Sequence, residues 1–361
     1  RILATSREPL GVAGEIDVAV PPLAVASEGA GLDELRASEA VRLFFARARE
    51  ARPRLEESDA ALIVAGRIAR DLDGLPLALE LAAARAKALS VEEIAAGLAD
   101  RFRFLVSWRR LTAARHRTLR EAIDWSVDLL AEDERRFLAS LSVFAGGFSR
   151  RAAAEICLDG DDDRGLLLLG RLVNASLVLA DEHQGEMRYR LLETVRQYGA
   201  ARLDEEGLTS AIRARHAAHF TEFVALAWRQ RLYVDVDAYV RYLEREVDNL
   251  RAALAWSRES NDAERSLRLA RATWLLWWVR GRVSEGRRWL ESALVLDADV
   301  DPVLRAEALE GAAGLAWTQG DLAVAETLAE EALPLFVAAG DPRGEYAALT
   351  VLGHVAYGRE R

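Results

Sequence analysis

Lysine and cysteine each occur once in this sequence of 361 residues, and both scarcities exclude kinds of protein. The single cysteine, Cys157, excludes a disulfide framework and a zinc module built from several cysteines, and it fits a reducing compartment. The single lysine, Lys87, follows Ala86, whereas a phosphate-binding P-loop requires the order Gly-Lys-Ser/Thr. The sequence therefore contains no P-loop.

Long apolar runs are also missing. No segment approaches the roughly 18 apolar residues that cross a bilayer, and the first residues lack the layout of a signal peptide. Acidic residues outnumber basic ones by 58 to 48, so the formal net charge is -10. That balance argues against binding nucleic acid or anionic lipid over the whole surface, although it leaves room for a local basic patch. We expect a cytoplasmic protein with no membrane partner.

The two ends of the sequence have the patterns of interior segments. The first residue is Arg1, and residues 2–4 form a short apolar run that predicts a buried strand leading to Arg7. A second strand is predicted over residues 16–20, before two prolines. The sequence stops soon after a helix begins a repeat unit. We therefore expect a piece of a longer protein, cut at both ends.

From Ser38 onward the apolar residues have helical spacing, and local signals mark where helices begin. Gly74 and Leu75 interrupt the pattern, and Pro76 is placed to start a helix through residue 89, because proline lacks the N–H that this position leaves unpaired. Ser90 and Glu93 have the spacing of a capping box for the next helix.

Residues 118–191 have the pattern of a winged-helix unit. Helices are predicted over 118–130, 133–143 and 164–174, and Ser149 can cap a further helix that reaches Cys157. Two short strands, over residues 177–180 and 187–191, flank a polar turn and predict a hairpin.

The last 150 residues contain a repeat. Ala316-Trp317 matches Ala356-Tyr357 forty positions later, and Asp301 matches Asp341 at the same spacing. Helix pairs that repeat at roughly 34 to 45 residues are typical of an α-solenoid of tetratricopeptide type, which binds partners on its concave face.

Four blocks of sequence, taken together and in this order, resemble one family. They are Leu3-Ala4-Thr5-Ser6-Arg7-Glu8-Pro9-Leu10, Gly74-Leu75-Pro76-Leu77-Ala78-Leu79-Glu80, Leu141-Ser142-Val143-Phe144-Ala145-Gly146-Gly147-Phe148 and Tyr189-Arg190-Leu191-Leu192-Glu193-Thr194-Val195-Arg196. The family is the bacterial signal-transduction ATPases with numerous domains (STAND), and within it the LuxR-type and related transcriptional regulators with an NB-ARC-like core and a tetratricopeptide sensor.

The resemblance implies a mainly α fold with four parts. Residues 1–23 would be the C-terminal edge of a P-loop α/β ATPase core, and residues 36–106 a helical subdomain. Residues 112–206 would be a winged-helix subdomain, and residues 210–361 a sensor domain of tetratricopeptide-like repeats.

The resemblance also assigns a nucleotide site. It places Arg7 on the γ-phosphate and Gly74, Leu75 and Pro76 on the adenine and ribose side. It places Glu193 in the final nucleotide-sensing block, where a histidine of related proteins is replaced by Leu192; from local sequence alone, Glu193 could equally cap the following helix. The cofactor implied for the complete protein is ATP or ADP with Mg. Because this segment has no P-loop, it should not hydrolyse ATP by itself, whereas the parent protein is expected to be a P-loop ATPase.

The function that the resemblance implies is a nucleotide-dependent switch that regulates transcription. ADP would hold the subdomains closed, and an inducer or protein bound to the repeats would favour ATP, opening and self-association. DNA would be bound only by a domain outside this chain. Two alternatives stay open: a nucleotide-independent scaffold that binds proteins through the repeats, and a winged helix that itself binds DNA. Against the second, the candidate recognition helix is apolar and follows three aspartates, Asp161 to Asp163.

Four tryptophans suggest where the inducer or partner could bind. Trp274, Trp277 and Trp278 have the spacing of one helix face, and Trp289 lies on the next predicted helix. The cluster could form an aromatic pocket, but such stripes more often fill the groove between paired helices. His216 and His219 have the i, i+3 spacing of metal ligands, but no third ligand is near them in the sequence, so we expect surface histidines and no metal site.

Overall fold

The structure is a computed structural model that describes residues 15–16, 18, 20–98, 119–183, 185–230, 235–296 and 299–359. Over these residues the protein is mainly α-helical, with eighteen α-helices and three short strands. The chain divides into two compact units, one made of Arg1–Ser142 and Asp161–Gly207 and the other of Val143–Gly160 and Leu208–Arg361. The predicted strand before Arg7, and Arg7 itself, lie outside the described residues.

The first unit begins with five α-helices whose starts are set by local chemistry. They are α1 (Leu32–Ala37), α2 (Glu39–Ala51), α3 (Asp59–Asp71), α4 (Pro76–Ala83) and α5 (Val91–Gly97). Ser38, Ser58 and Ser90 each accept a hydrogen bond from a backbone amide three residues later, which satisfies an N–H that the helix leaves unpaired. The capping box of Ser90 with Glu93 and the start of α4 at Pro76 are confirmed.

The strand predicted over residues 16–20 is wrong where the structure describes it. Ile16, Val18 and Val20 lie in no strand, and between 74% and 90% of each residue is exposed. Alternating apolar residues form a strand only when a neighbouring strand pairs with their backbone, and sequence alone does not reveal whether that neighbour is present.

The next elements alternate between helices and short strands. They are α6 (Leu119–Asp128), α7 (Glu132–Leu141), β1 (Phe148–Ser149), α8 (Arg150–Cys157), α9 (Asp162–Asn174), β2 (Leu179–His183), β3 (Glu186–Arg190) and α10 (Glu193–Glu205). Strands β2 and β3 pair antiparallel, from Leu179 opposite Arg190 to His183 opposite Glu186, which confirms the predicted hairpin. The predicted cap of α8 is also confirmed, because the Ala152 amide donates to the hydroxyl of Ser149.

The second unit contains β1, α8 and a series of longer helices. These are α11 (Thr209–Gln230), α12 (Val236–Glu244), α13 (Val247–Glu259), α14 (Ala263–Val279), α15 (Val283–Leu294), α16 (Pro302–Thr318), α17 (Leu322–Ala339) and α18 (Pro342–Arg359). From α14 to α18 each helix packs against the next, and α16 also contacts α14 and α18. Because α16 and α18 begin forty residues apart, each after a capping aspartate, the repeat read from the sequence is confirmed. Within the described ranges, no helix has the length and apolar character that crossing a membrane requires.

Small residues let the helices of this array approach closely. Alanines fill the contacts between α16, α17 and α18, among them Ala313, Ala316 and Ala325, which are fully buried. Gly344 on α18 lies directly against the ring of Phe336, which is 1% exposed. A side chain at Gly344 would overlap that ring, whereas Gly353 on the same helix has open space where a side chain would begin.

This difference gives a matched pair of substitutions. Gly344→Ala should lower the free energy of unfolding by about 1 to 3 kcal/mol, because the overlap with Phe336 outweighs the better helix propensity of alanine. Gly353→Ala should raise it by up to about 1 kcal/mol, since propensity acts there without a clash. Urea unfolding followed by circular dichroism measures both. Equal effects of the two substitutions would contradict the packing described.

Candidate functional site

The Gly74 block forms the tight turn between α3 and α4. Asp73 and Gly74 both have a positive φ, of 53° and 63°. The Leu23 amide donates to the Gly74 carbonyl oxygen at 3.1 Å, and a Cβ on Gly74 would overlap the Leu23 carbonyl. Glycine is therefore required at this turn by both conformation and space. Pro76 begins α4 with its ring exposed, and Leu75 is half-buried beside it.

A hydrogen bond joins this turn to the Glu193 block. The backbone amide of Thr194, at the start of α10, donates to Oδ2 of Asp73 at 3.2 Å across 121 positions of sequence. The N-cap residue of α10, Leu192, has no side chain that could accept this bond. Asp73 therefore supplies the cap from the turn between α3 and α4. Two of the blocks that the sequence singled out separately meet at this contact.

Glu193 does not cap α10, so that local alternative is wrong. It is the first residue of the helix, and its carboxylate accepts two hydrogen bonds from the Arg196 guanidinium, at 2.6 and 2.7 Å, and one from Gln197. The hydrogen bond to Glu193 raises the pKa of Arg196 above its ordinary value. Arg196 also donates to the Ser142 carbonyl at 3.4 Å. Asp73 and Arg196 are not among the predicted site residues, although Arg196 lies three residues after Glu193, the spacing of a helical ion pair.

In the second unit, one side chain holds the Gly146 segment. The carboxamide oxygen of Asn249, on α13, accepts hydrogen bonds from the amides of Ala145 and Gly146, at 3.1 and 3.4 Å. Its nitrogen donates to the Gly147 carbonyl and to the Glu246 carboxylate, at 2.9 and 2.8 Å. Asn249 is 1% exposed, and both ends of its amide are used. This clamp fixes the third sequence block onto the helices that lead into the repeat array.

The four predicted tryptophans differ in burial and contacts. Trp277 is 1% exposed, packs against Gly286 and donates from its indole to the Thr273 hydroxyl at 3.2 Å. Trp289 is half-buried and hydrogen-bonds the carboxylate of Glu285. Trp277 therefore lies in the groove between α14 and α15, as the packing alternative predicts, whereas the hydrogen bond of Trp289 stays within α15.

Trp278 belongs to an exposed aromatic row. Trp278 is 44% exposed, with Trp274 beside it at 6.4 Å between ring centroids. Trp317 is 37% and Tyr357 57% exposed, and Trp317 stacks on His354 at 4.7 Å. Trp278, Trp317 and Tyr357 follow one another at intervals of 39 and 40 residues and lie on α14, α16 and α18, so they occupy one position in three successive repeats. We call these three residues the aromatic row. The forty-residue match of Trp317 with Tyr357 was the signal that could have found it.

The surface placement expected for His216 is wrong. Its side chain is 2% exposed between Phe144 and Phe220, and this burial lowers its pKa to about 3. His219 pairs instead with the Glu155 carboxylate at 2.8 Å. No group of three or more histidine, cysteine or acidic side chains is placed to hold a metal ion among the residues that the structure describes.

The charges of α9 bear on recognition of DNA. Its two arginines are paired with acidic residues of α7: Arg171 with Glu134 at 2.7 Å, and Arg164 with Asp133 at 3.6 Å. The hydrogen bond from Arg171 to Glu134 raises the pKa of Arg171. The amide of Arg164 donates to Asp161, which caps the helix. This helix therefore presents carboxylates where phosphate contacts would need cations.

Residues 130–204 match the family model of the winged helix-turn-helix domain. The range contains α7, α9 and the β2–β3 hairpin, in the order predicted from the sequence. Fold and match together define a mainly α-helical protein that contains a winged helix-turn-helix domain.

The chain is similar to mycobacterial proteins of greater length. Proteins of Mycobacterium tuberculosis and Mycobacterium bovis, each named "Putative HTH-type transcriptional regulator", are 39% identical to it over 364 residues, which cover 98% of this chain and 40% of theirs. An uncharacterized protein of M. tuberculosis is 39% identical over 224 residues, or 61% of this chain and 54% of its own. The chain thus spans less than half the length of the named regulators.

A solved structure is also similar. It is a STAND protein with a tetratricopeptide repeat sensor from Pyrococcus horikoshii, with 14% identity, a TM-score of 0.36, and coverage of 92% of this chain and 45% of that one. The winged-helix match agrees with the winged-helix unit predicted from the sequence, and the predicted resemblance to transcriptional regulators is confirmed by the mycobacterial relatives that carry that name.

The Asn249 clamp yields a test that depends on pH. Asn249→Asp should lower the free energy of unfolding by about 3 kcal/mol at neutral pH, because it places a buried carboxylate beside Glu246 and the Gly147 carbonyl. Burial and Glu246 should raise the pKa of the introduced carboxyl. The loss should therefore be largest above that pKa and shrink as the pH falls through it.

Urea unfolding of the variant and the parent sequence at pH 7.5 and pH 5 measures this difference. The control is Asn261→Asp, at an exposed residue with φ of 54°, a conformation that aspartate tolerates. A loss at Asn249 that stays the same at both pH values would count against the clamp.

Proposed function

We propose that the chain is the regulatory part of an ATP/ADP-dependent switch that controls transcription. The observation that supports this most directly is the 3.2 Å hydrogen bond from the Thr194 amide to Asp73. It brings the Gly74 turn, expected on the base and ribose side of a nucleotide, to the block expected to sense its phosphates. A nucleotide bound near this contact would favour the arrangement in which the contact is made.

The residues around the Gly74 turn suit the adenine and ribose of a nucleotide better than its phosphates. The exposed ring of Pro76 and the half-buried Leu75 offer an apolar surface on which adenine and ribose can pack. Asp73 and Glu193 are carboxylates, which repel phosphate, and Glu193 already binds Arg196. Phosphates and Mg would therefore be held mainly by Arg7 and by groups outside this chain, since a P-loop is missing from its sequence. ATP hydrolysis would belong to the complete protein.

The repeat array would be the sensor. In this proposal an inducer or partner protein binds the aromatic row, where Trp278, Trp317 and Tyr357 offer exposed rings on three adjacent helices. To invert a population of 99:1 in favour of the open state, the inducer must bind that state more tightly by roughly 5.5 kcal/mol. The open state would self-associate, and an output domain outside the chain would bind DNA.

Specific features argue for or against two other functions. A nucleotide-independent scaffold would need only the aromatic row, and it leaves the contact of Asp73 with Thr194 without a role beyond stability. DNA binding by the winged helix has the family match in its favour. Against it, Arg164 and Arg171 are engaged by α7, and three aspartates stand at the start of α9.

The nucleotide proposal predicts a graded effect at Asp73. In the full-length protein loaded with fluorescent ADP, Asp73→Ala should release ADP several-fold faster, because the cap of α10 is lost. Asp73→Asn should release it at nearly the parent rate, since its amide oxygen can accept the same bond and asparagine tolerates the positive φ. Asp73→Gly keeps the backbone freedom but loses the acceptor, so it should resemble the alanine variant.

Stopped-flow release rates distinguish these outcomes. Equal rates for all four proteins would remove the proposed coupling at Asp73, and failure of the full-length protein to bind ADP at all would remove the switch.

The charges of α9 predict that its winged helix does not bind duplex DNA. Fluorescence anisotropy of a labelled duplex of random sequence should show no saturable binding to this chain at 50 mM salt. Arg164→Ala and Arg171→Ala should change nothing. Binding that weakens steeply as salt rises to 200 mM, and that depends on these arginines, would instead assign DNA recognition to α9.

A further inference from the structure

Helix α9 exposes an apolar stripe on the side that faces away from its core. Its buried face is formed by Gly165, Leu168, Leu169 and Leu172. On the opposite face Leu166 and Leu167 are 52% and 56% exposed, although they belong to the helix that a winged-helix domain would use for recognition. Exposed apolar side chains that lie together on one helix face favour contact with another protein.

Gly170 makes this stripe accessible to a second helix. It lies three and four residues after the exposed leucines, hence on the same face, and nothing lies within 4 Å of where its Cβ would be. A neighbouring helix can therefore approach the α9 backbone at this point while its own side chains pack against Leu166 and Leu167.

The charges around the stripe select the kind of partner. Asp161 and Asp163, both exposed, stand at its N-terminal end. The arginines of α9 do not offset them for a partner, because Arg164 and Arg171 are held by Asp133 and Glu134. An acidic rim beside exposed leucines complements a surface that is apolar in the middle and basic at its edge.

We propose that the outer face of α9, formed by Asp163, Leu166, Leu167 and Gly170, docks a basic amphipathic helix of a partner protein. The winged helix then acts as a protein-binding module, with the recognition helix in contact with another helix and not with a DNA groove. This inference stands apart from the nucleotide proposal, since it uses neither Asp73 nor the aromatic row.

The test uses the full chain and a designed probe. The probe is a labelled 18-residue peptide with leucines at helical i, i+3, i+4 and i+7 spacing and arginines at the other positions. The double variant Leu166→Asn with Leu167→Asn should weaken its binding at least tenfold in fluorescence anisotropy. The matched control is Ile63→Asn on α3, an apolar residue that is 58% exposed in the same unit and should leave binding within twofold.

Three further measurements separate this proposal from its rivals. A peptide with glutamates in place of the arginines should not bind, and Asp163→Asn should weaken the arginine peptide by a few-fold at low salt and less at high salt. Thermal unfolding must show that the leucine variants stay folded.

Equal weakening by the α9 and Ile63 variants would overturn the proposal, because the peptide would then bind by general charge alone. Sedimentation that shows self-association of the parent chain, lost in the leucine variants, would assign this face to a second copy and also overturn it. Competition by duplex DNA for the same leucines would do so as well.

Discussion

The hydrogen bond from the Thr194 amide to the Asp73 carboxylate joins two segments of the first unit that the sequence keeps 121 positions apart. It uses an acceptor that the turn of Asp73 and Gly74 presents in a left-handed conformation, and a donor that α10 leaves unpaired because Leu192 cannot cap it. The Thr194 amide has its acceptor only when the two segments are together. A change that separates them therefore leaves the start of α10 without this cap, and this is how the contact would act in the proposed switch.

Local chemistry explains which features were predictable from sequence. The capping box of Ser90 with Glu93, the start of α4 at Pro76 and the cap at Ser149 depend on residues within three positions of one another. The cap that Asp73 supplies and the clamp that Asn249 forms depend on partners more than a hundred positions away. An isolated aspartate or asparagine carries no sign of which distant amide it will meet, so these contacts appear only once the chain is folded.

The tryptophans of α14 also depend on partners that the sequence does not reveal. Trp277 and Trp278 are adjacent on α14, yet one is 1% and the other 44% exposed. Gly286 on α15 provides the space that takes up the indole of Trp277, whereas Trp278 remains exposed. Periodicity could place both on an apolar side of the helix but could not decide which ring would meet a glycine. The repeat indicates which of the two tryptophans is exposed, because Trp317 and Tyr357 recur at the position of Trp278 and not of Trp277.

In helix α9 the residues that determine the fold differ from the residues that determine what the helix binds. The winged-helix match over residues 130–204 describes the order of helices and hairpin, which follows from buried positions such as Leu168 and Leu172. Function depends on the residues between them, and here those are leucines, glycine and arginines already engaged by α7. The same buried pattern would support a basic outer face with no change of fold. Since contact with phosphate requires unpaired cations, the pairing of Arg171 with Glu134 favours the proposed contact with a protein over contact with DNA.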